Sequence, residues 1–519
     1  MANVLLINPP QVYRVTQIAS GVVPPIGAAY IAAYLRKHGH NVQFIDALGS
    51  GVDIFTKDGE ATLRGLTLPE MVDRIPDGLD TIGVTNLFSH AWPVVRKLTH
   101  MIKEKFPEIP IVTGGINQTA IPDFVLSHGT IDYVVLGEGE ITFLKLVERL
   151  EKKQSTDDLS GIAYMRDGKP VVKEKQLTDL IEDLDILPFP AYDLLPIENY
   201  IQARSPHGAS RGKCLQMIAT RGCTYTCTFC TAPKMWLPKW RSRSSKNVVD
   251  EMEHWHKLYG VNDFHFEDLT MIFDRSWAIE FADEVLRRGL KITWQMPNGT
   301  RSEIFDDEVI DKLKASGCSN VAFAPESGCP KTLALIEKNL DLDNIVEGSR
   351  RLVKKGFVVC AFFCIGFPHD TIEDIKMSFK FMRKLAWIGV HEISITTFTA
   401  LPGSKLFYKL RSEGKIKLTD EFFKELLYMS DLSRAATWIE GVSAAKMARL
   451  RRWGYINFFV ISYLVRPWRL VSTIFHILRG VESTKVERIG HAKLSDTRKL
   501  LSIVLKKRRH VKVKDVPAA

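Results

Sequence analysis

Short apolar runs alternate with amphipathic stretches through two long tracts of this chain, and that alternation restricts it to parallel sheets covered by helices. Between residue 3 and about residue 150 the strand-like runs are NVLLINP, NVQFIDA, TIGVTN, IPIVTGG and IDYVVLG. The segment Gly27 to His38 illustrates the helical partner, because Ile31 and Leu35 stand four apart and Arg36, Lys37 and Gly39 close the run. The first tract, residues 1–155, is therefore expected to be an α/β domain, a flavodoxin- or Rossmann-like doubly wound parallel sheet. Asn8-Pro9-Pro10, Gly114-Gly115 and Gly137-Glu138-Gly139 each follow a strand and mark the crevice in which such sheets bind ligands. From Cys214 to about Ala400 the rhythm returns in LQMIAT, DFHFED, KITWQMP, NVAFAPES, VVCAFFCIG and EISITTFTA. Six such units predict a (β/α)6 partial barrel, or a complete one, with its chemistry at the carboxyl ends of the strands. Residues 156–208 contain QLTDLIEDLDILPFPAYDLLP and read as an ordered linker; the core domain is expected over 209–435 and a helical, basic extension over 436–519.

Composition narrows the class. The chain has 519 residues, 45% apolar and 25% charged, which is ample material for buried cores. No charged-then-apolar leader opens the sequence and no apolar run reaches about 18 residues, so a cytoplasmic protein is expected. No cysteine precedes Cys214, which argues against a secreted disulfide framework. The net charge of +10 is local: residues 466–519 hold 14 Lys and Arg against 4 Asp and Glu. The terminal KKRRHVKVK lacks interleaved aromatics, so a nucleic-acid partner is not expected. The apolar stretch from Tyr455 to Val465 is broken by Arg466-Pro467, short of a bilayer span. It reads as a buried docking helix or, alternatively, as an interfacial helix giving peripheral membrane contact and implying a lipid-like substrate.

The segment RGCTYTCTFC, Arg221 to Cys230, places three of the eight cysteines in one loop after the first barrel strand. A structural zinc would want four closed ligands, and no second CxxC exists. A cubane iron–sulfur cluster on Cys223, Cys227 and Cys230 would leave one iron open to chelate a small molecule. Three buried structural cysteines remain the third reading. Cys318, Cys329, Cys360 and Cys364 read as buried small side chains, with a second cluster as the weaker alternative.

CxxxCxxC with Phe229 before its last cysteine resembles the cluster motif of the radical S-adenosylmethionine (SAM) superfamily, and the barrel behind it fits the same likeness. The resemblance implies that Cys223, Cys227 and Cys230 ligate a [4Fe-4S] cluster whose open iron binds SAM, and that Phe229 packs near the adenine. One-electron reduction by an external donor such as flavodoxin or ferredoxin would then cleave SAM to a 5′-deoxyadenosyl radical. Glu326 and Ser327, ending the fourth strand before Gly328, resemble the SAM-contacting residues of the superfamily. Asp268, beside Glu267 at the end of the second strand, and Arg301 after the third are further candidates, each equally readable as a solvated loop charge. Gly366-Phe367-Pro368 and Leu401-Pro402-Gly403 resemble family turn motifs.

The first tract adds VLLINPP, PPIGAAYIAAYL, DTIGVT, IVTGG, DYVVLGEGE and, in the linker, LPFPAYDLLP. Their order resembles the cobalamin-binding (B12-binding) domain-containing radical SAM enzymes. The Asp-x-His-x-x-Gly hexapeptide that supplies a histidine to cobalt is missing, as is usual in this class. Corrin or phosphate groups would then meet Gly114, Gly115, Gly137, Glu138 and Gly139. The family implies a cobalamin-dependent radical SAM C-methyltransferase acting on an unactivated carbon of a small-molecule or lipid-like substrate, through methylcobalamin. An oxidative cyclase or rearrangement enzyme is the alternative in the same architecture, and a non-catalytic SAM- and corrin-binding sensor the alternative outside it. A methylthiotransferase would want cysteines in the amino-terminal domain, which has none.

Overall fold

The computed structural model describes residues 1–17, 21–204, 206–491 and 494. Five strands of the first tract, β1 (Asn3–Asn8), β2 (Asn41–Asp46), β3 (Thr81–Thr85), β4 (Ile111–Gly114) and β5 (Tyr133–Val135), run parallel in the order β2-β1-β3-β4-β5. β1 carries buried residues on both faces, as a central parallel strand between helical layers must. The helix Ile26–Lys37 covers one face with alanines, Tyr30, Tyr34 and Leu35 buried. This order reverses direction between β1 and β3, and the carboxyl ends there form the ligand crevice of such sheets.

The sheet does not stop at residue 155. β6 (Ile162–Arg166) and β7 (Lys169–Lys173) add an antiparallel hairpin beyond β5. Residues expected in the linker thus belong to the first domain. Only the stretch after Lys173 connects, and it is pinned to both sides: Tyr200 Oη donates to Asp46 Oδ2 at 2.9 Å and Tyr192 Oη to the Gln216 carbonyl at 2.9 Å.

The second tract forms β8 (Cys214–Met217), β9 (Asp263–Phe266), β10 (Thr293–Thr300), β11 (Cys318–Glu326), β12 (Val358–Ile365) and β13 (Glu392–Thr397), paired in sequence order and parallel throughout. β8 and β13 do not pair, so the barrel is partial. Ser244, Asp274, Asp306 and Thr371 each cap the helix that follows a strand, accepting a backbone N–H of its first turn. The cores beneath are aromatic, with Phe266, Phe281 and Trp294 meeting edge to face at ring-centroid separations of 5.2 to 5.8 Å.

The amino-terminal domain sits at the carboxyl-end mouth of the barrel. The short helix Ile116–Ala120 after β4 packs on the short helix Ala232–Trp236 after the cysteine loop. Beyond the barrel, the helix Ala444–Val465 lies along the helix Ile372–Ile388 and β13, and the helix Pro467–Arg479 turns away from it by 108°. The charge run KKRRHVKVK lies outside the described residues.

Candidate active site

The cysteine loop leaves β8 through the short strand Thr220–Arg221 and ends at the helix Ala232–Trp236. Its backbone is tied to both flanks of the mouth: Thr228 N–H donates to the Ile336 carbonyl at 3.0 Å and Leu406 N–H to the Thr228 carbonyl at 2.9 Å. Burial pushes the Cys230 thiol up to about 11 and also raises Cys227, while the Lys338 ammonium opposes both shifts. Ala232 N–H points at Cys230 Sγ, 3.4 Å away. Thiols desolvated beside a fixed cation and an amide donor suit an anionic multi-iron centre, which neutralises its ligands in place. Among the described residues no three His, Cys, Asp or Glu side chains close around a single-ion position.

Lys338 was not foreseen. It follows the short helix Pro330–Leu335 and meets Glu326 Oε1 at 3.2 Å. Glu326 ends β11 with φ of +64°, a left-handed backbone that β-strand residues avoid. Burial raises its carboxyl above the ordinary range, and Lys338 pulls it partly back. Arg301 lies against Tyr225, between the first two cysteines, with its guanidinium carbon 3.9 Å from the ring centroid. Nη2 of that guanidinium meets Glu303 Oε1 at 2.7 Å and donates to the Asn339 carbonyl, whereas Nε and Nη1 are buried without a partner among the described residues. Phe229 packs edge-on against Phe367 of the Gly366-Phe367-Pro368 turn at 5.5 Å. Two unpartnered guanidinium donors, a buried carboxylate with its ammonium and an aromatic wall suit a zwitterionic nucleoside such as SAM.

Two other predicted residues are engaged by the protein itself. Asp268 accepts from Ala219 N–H at 3.1 Å and from Thr220 Oγ1 at 2.6 Å, tying the end of β9 to that of β8. Ser327 Oγ pairs with Ser378 Oγ at 3.0 Å and accepts Cys329 N–H at 3.1 Å. Glu267, next to Asp268, accepts from His207 Nδ1 at 2.8 Å, a dyad that no local pattern announced.

Across the mouth, the carboxyl ends of β3 and β4 hold an unusual set of polar side chains. Both polar atoms of Asn86, Asn117 and Gln118, and the Thr113 hydroxyl, are buried with no partner among the described residues. Native interiors leave few such groups unsatisfied, so this set awaits a polar ligand. Gly115 shapes the crevice with φ of +127°, a Cβ there falling 2.3 Å from the Asn86 carbonyl oxygen. Gly137, φ +63°, faces the Met235 carbonyl in the same way, and a Cβ on Gly114 would lie in ordinary contact with the Val135 carbonyl at 3.5 Å. The amide-bearing edge of a corrin fits these orphaned amides and this close backbone.

Glu138 and Gly139 do other work. Glu138 is almost fully buried and forked by Arg241, with Nη1 to Oε2 at 3.0 Å. Burial would raise its carboxyl, yet the hydrogen bonds and charges of Arg241 and Arg221 hold it below the ordinary value. Gly139 begins the helix Glu140–Glu151, where a Cβ would strike Ile31. Glu140 in turn holds Arg221 at 2.6 Å. Two carboxylates of the first domain thus clamp two arginines flanking the cysteine loop. Cys360 and Cys364, as expected, are buried, with Cys360 raised to about 12 by desolvation.

Residues 217–382 match the radical SAM superfamily and residues 15–147 the B12 binding domain. The chain is 27% identical over 474 residues to an uncharacterized methyltransferase of Pyrococcus horikoshii, covering 91% of this chain and 95% of that protein. It is 29% identical over 462 residues to the cytidylyl-2-hydroxyethylphosphonate methyltransferase of Streptomyces wedmorensis, with 82% and 84% covered. Among solved structures it superposes on the cobalamin-dependent S-adenosylmethionine radical enzyme OxsB, bound to aqua-cobalamin and S-adenosylmethionine, with TM-score 0.66 and 15% identity over 99% of this chain and 82% of that one.

Proposed function

Since the chain belongs to the radical SAM enzymes that carry a B12-binding domain, we propose that it is a cobalamin-dependent C-methyltransferase acting on an unactivated carbon of a small molecule. The observation that carries this reading is the juxtaposition at one mouth: the three-cysteine loop with Lys338 beside Cys227 and Cys230 and Arg301 beside Cys227 on the barrel side, and orphaned amides around Gly115 on the sheet side. When bound, the [4Fe-4S] cluster with SAM supplies a radical that opens a substrate C–H bond, and the corrin supplies the methyl group.

The chain's own residues do the positioning. Cys223, Cys227 and Cys230 hold the cluster in a loop fixed at both flanks. Arg301 offers its unpartnered Nε and Nη1 hydrogens to the SAM carboxylate, Glu326 accepts from its amino or ribose groups, and Lys338 opposes the rise that burial gives the Glu326 carboxyl. Phe229 walls the adenine. Asn86, Asn117 and Gln118 hold corrin amides, and Gly114, Gly115 and Gly137 allow the backbone to approach them. Asp268, Ser327 and Glu138 tie this arrangement together through their own hydrogen bonds. An external one-electron donor of the flavodoxin or ferredoxin kind completes the system.

Anaerobic reconstitution with iron, sulfide and hydroxocobalamin, followed by reduction in the presence of SAM, tests the reading. 5′-Deoxyadenosine, S-adenosylhomocysteine and retained corrin are expected from the wild type, and no SAM cleavage from Cys227→Ala. SAM cleavage without retained corrin would remove methyl transfer from the reading; bound SAM never cleaved under any reductant would leave a sensor.

A further inference from the structure

Independently of that reading, we infer that the bent pair of helices after the barrel docks the protein on the surface of a membrane rich in anionic lipid. On the helix Ala444–Val465, Trp453, Ile456, Val460 and Leu464 are exposed at spacings of three and four. At 100° per residue they form one stripe, and the buried Met447, Arg451, Gly454, Phe458 and Ser462 lie on the opposite side. That inner side fits closely, since a Cβ on Gly454 would stand 2.6 Å from Ile395. The helix Pro467–Arg479 has no buried residue at all, and Trp468, Val471, Ile474, Phe475 and Leu478 are exposed along it. The exposed Trp387 adjoins the bend, where Arg466 donates to its carbonyl at 3.0 Å.

Isolated exposed apolar residues are ordinary; consecutive helices that each carry an exposed apolar stripe are not. Neither helix is long and apolar enough to span a bilayer, and the 108° bend prevents the pair from acting as one straight segment. The geometry is that of a hairpin lying in the interface, with tryptophans at headgroup depth. Charge selects the occupant. In the sequence, residues 466–519 carry 14 Lys and Arg against 4 Asp and Glu, an excess complementary to anionic headgroups that begins in the second helix of the pair and continues along the chain after it.

The hairpin is mounted firmly enough to carry the protein. Arg469 donates to the Gly389 carbonyl at 2.8 Å and the Val390 carbonyl at 3.1 Å, just before β13. Beyond it, Val486 N–H donates to Glu392 Oε1 at 3.1 Å and Arg488 Nη1 to the Gly208 carbonyl at 2.8 Å, across the amino-terminal floor of the barrel. Docking therefore takes place away from the cysteine loop, at the end of the barrel opposite the amino-terminal domain.

Co-sedimentation of the full reconstituted chain with vesicles decides the matter. With vesicles containing about 30% phosphatidylglycerol in phosphatidylcholine, binding should exceed that to pure phosphatidylcholine by about tenfold or more and weaken as salt is raised. Leu464→Asp with Val471→Asp, and separately Trp468→Ser, should lower binding by about tenfold while cluster absorbance stays at the wild-type level. A wild-type chain left in the supernatant of both vesicles, or aspartate variants that bind as the wild type does, overturns the inference. A wild-type dimer dissociated by Val471→Asp would likewise overturn it and assign the face to a second copy of the chain.

Discussion

The carboxylate of Glu326 and the ammonium of Lys338 lie 3.2 Å apart, both largely buried, with Glu326 held in a left-handed backbone conformation. Glu326 stands close enough to Cys227 to raise its thiol, and the lysine opposes the rise that burial gives the Glu326 carboxyl. Replacing either partner should therefore weaken SAM binding while leaving the cluster. Glu326→Gln and Lys338→Met are expected to raise the dissociation constant for SAM by about tenfold or more, roughly the 1.4 kcal/mol of one charge-assisted hydrogen bond. Equilibrium dialysis on reconstituted protein, with iron content and visible absorbance as controls, reads the effect.

Glu138→Gln leaves Arg241 charged and buried, with its carboxylate partner gone. A loss of about 3–5 kcal/mol of stability is expected on urea unfolding, the usual consequence of removing one member of a buried pair. Glu138→Gln combined with Arg241→Met should recover much of that loss, because no uncompensated charge remains.

Asp268 gives a pH signature. Burial raises its carboxyl from 3.8 to about 6, against the pull of Thr220 and the Ala219 amide. A carboxyl with a folded value above its unfolded one stabilises fully below about pH 4 and loses that contribution as pH rises through about 6. Asp268→Asn removes this dependence. Between pH 4 and pH 7 the stability of the variant should rise relative to wild type by about 1–3 kcal/mol, measured by urea unfolding at both values.

Gly115→Ala places a methyl group 2.3 Å from the Asn86 carbonyl oxygen at φ of +127°. The crevice must open or the helix Ile116–Ala120 must shift. Corrin retained through gel filtration should fall by about tenfold or more, with the iron content of the cysteine loop unchanged, since that loop is anchored on Ile336 and Leu406.

Much of this arrangement is legible in the sequence because it is local. Strands such as NVLLIN and VVCAFFCI are apolar-rich runs, the caps that follow are Ser, Asp and Thr at helix starts, and the cysteines announce themselves by spacing. The hairpin β6–β7 was also within reach: Asp167-Gly168, both at positive φ, separates two strand-like runs as two-residue hairpin turns do. The pairings of Glu140 with Arg221 and of Glu138 with Arg241 were not, because 81 and 103 residues of chain separate partners that only the folded domains bring together. For the same reason Glu138 reads as a ligand residue inside GEGE and folds as an ion-pair partner. Lys338 carries no periodic signal, and its place beside Cys227 depends on how the short helix Pro330–Leu335 turns.

The clamps have a consequence for how this chain can be divided. Its two halves each have their own parallel sheet, but their hydrophobic cores run into one another, with Val22, Ala29 and Leu48 packed into the barrel core and Ile336, Phe367 and Phe398 into that of the first domain. Cutting at the connector would strip Arg221 and Arg241 of their counter-ions and expose carboxylates that now lie under neighbouring backbone. Neither half is a transferable cassette. A graft of either onto another scaffold must carry both arginines and both glutamates together, so what travels as a unit is the seam between the domains.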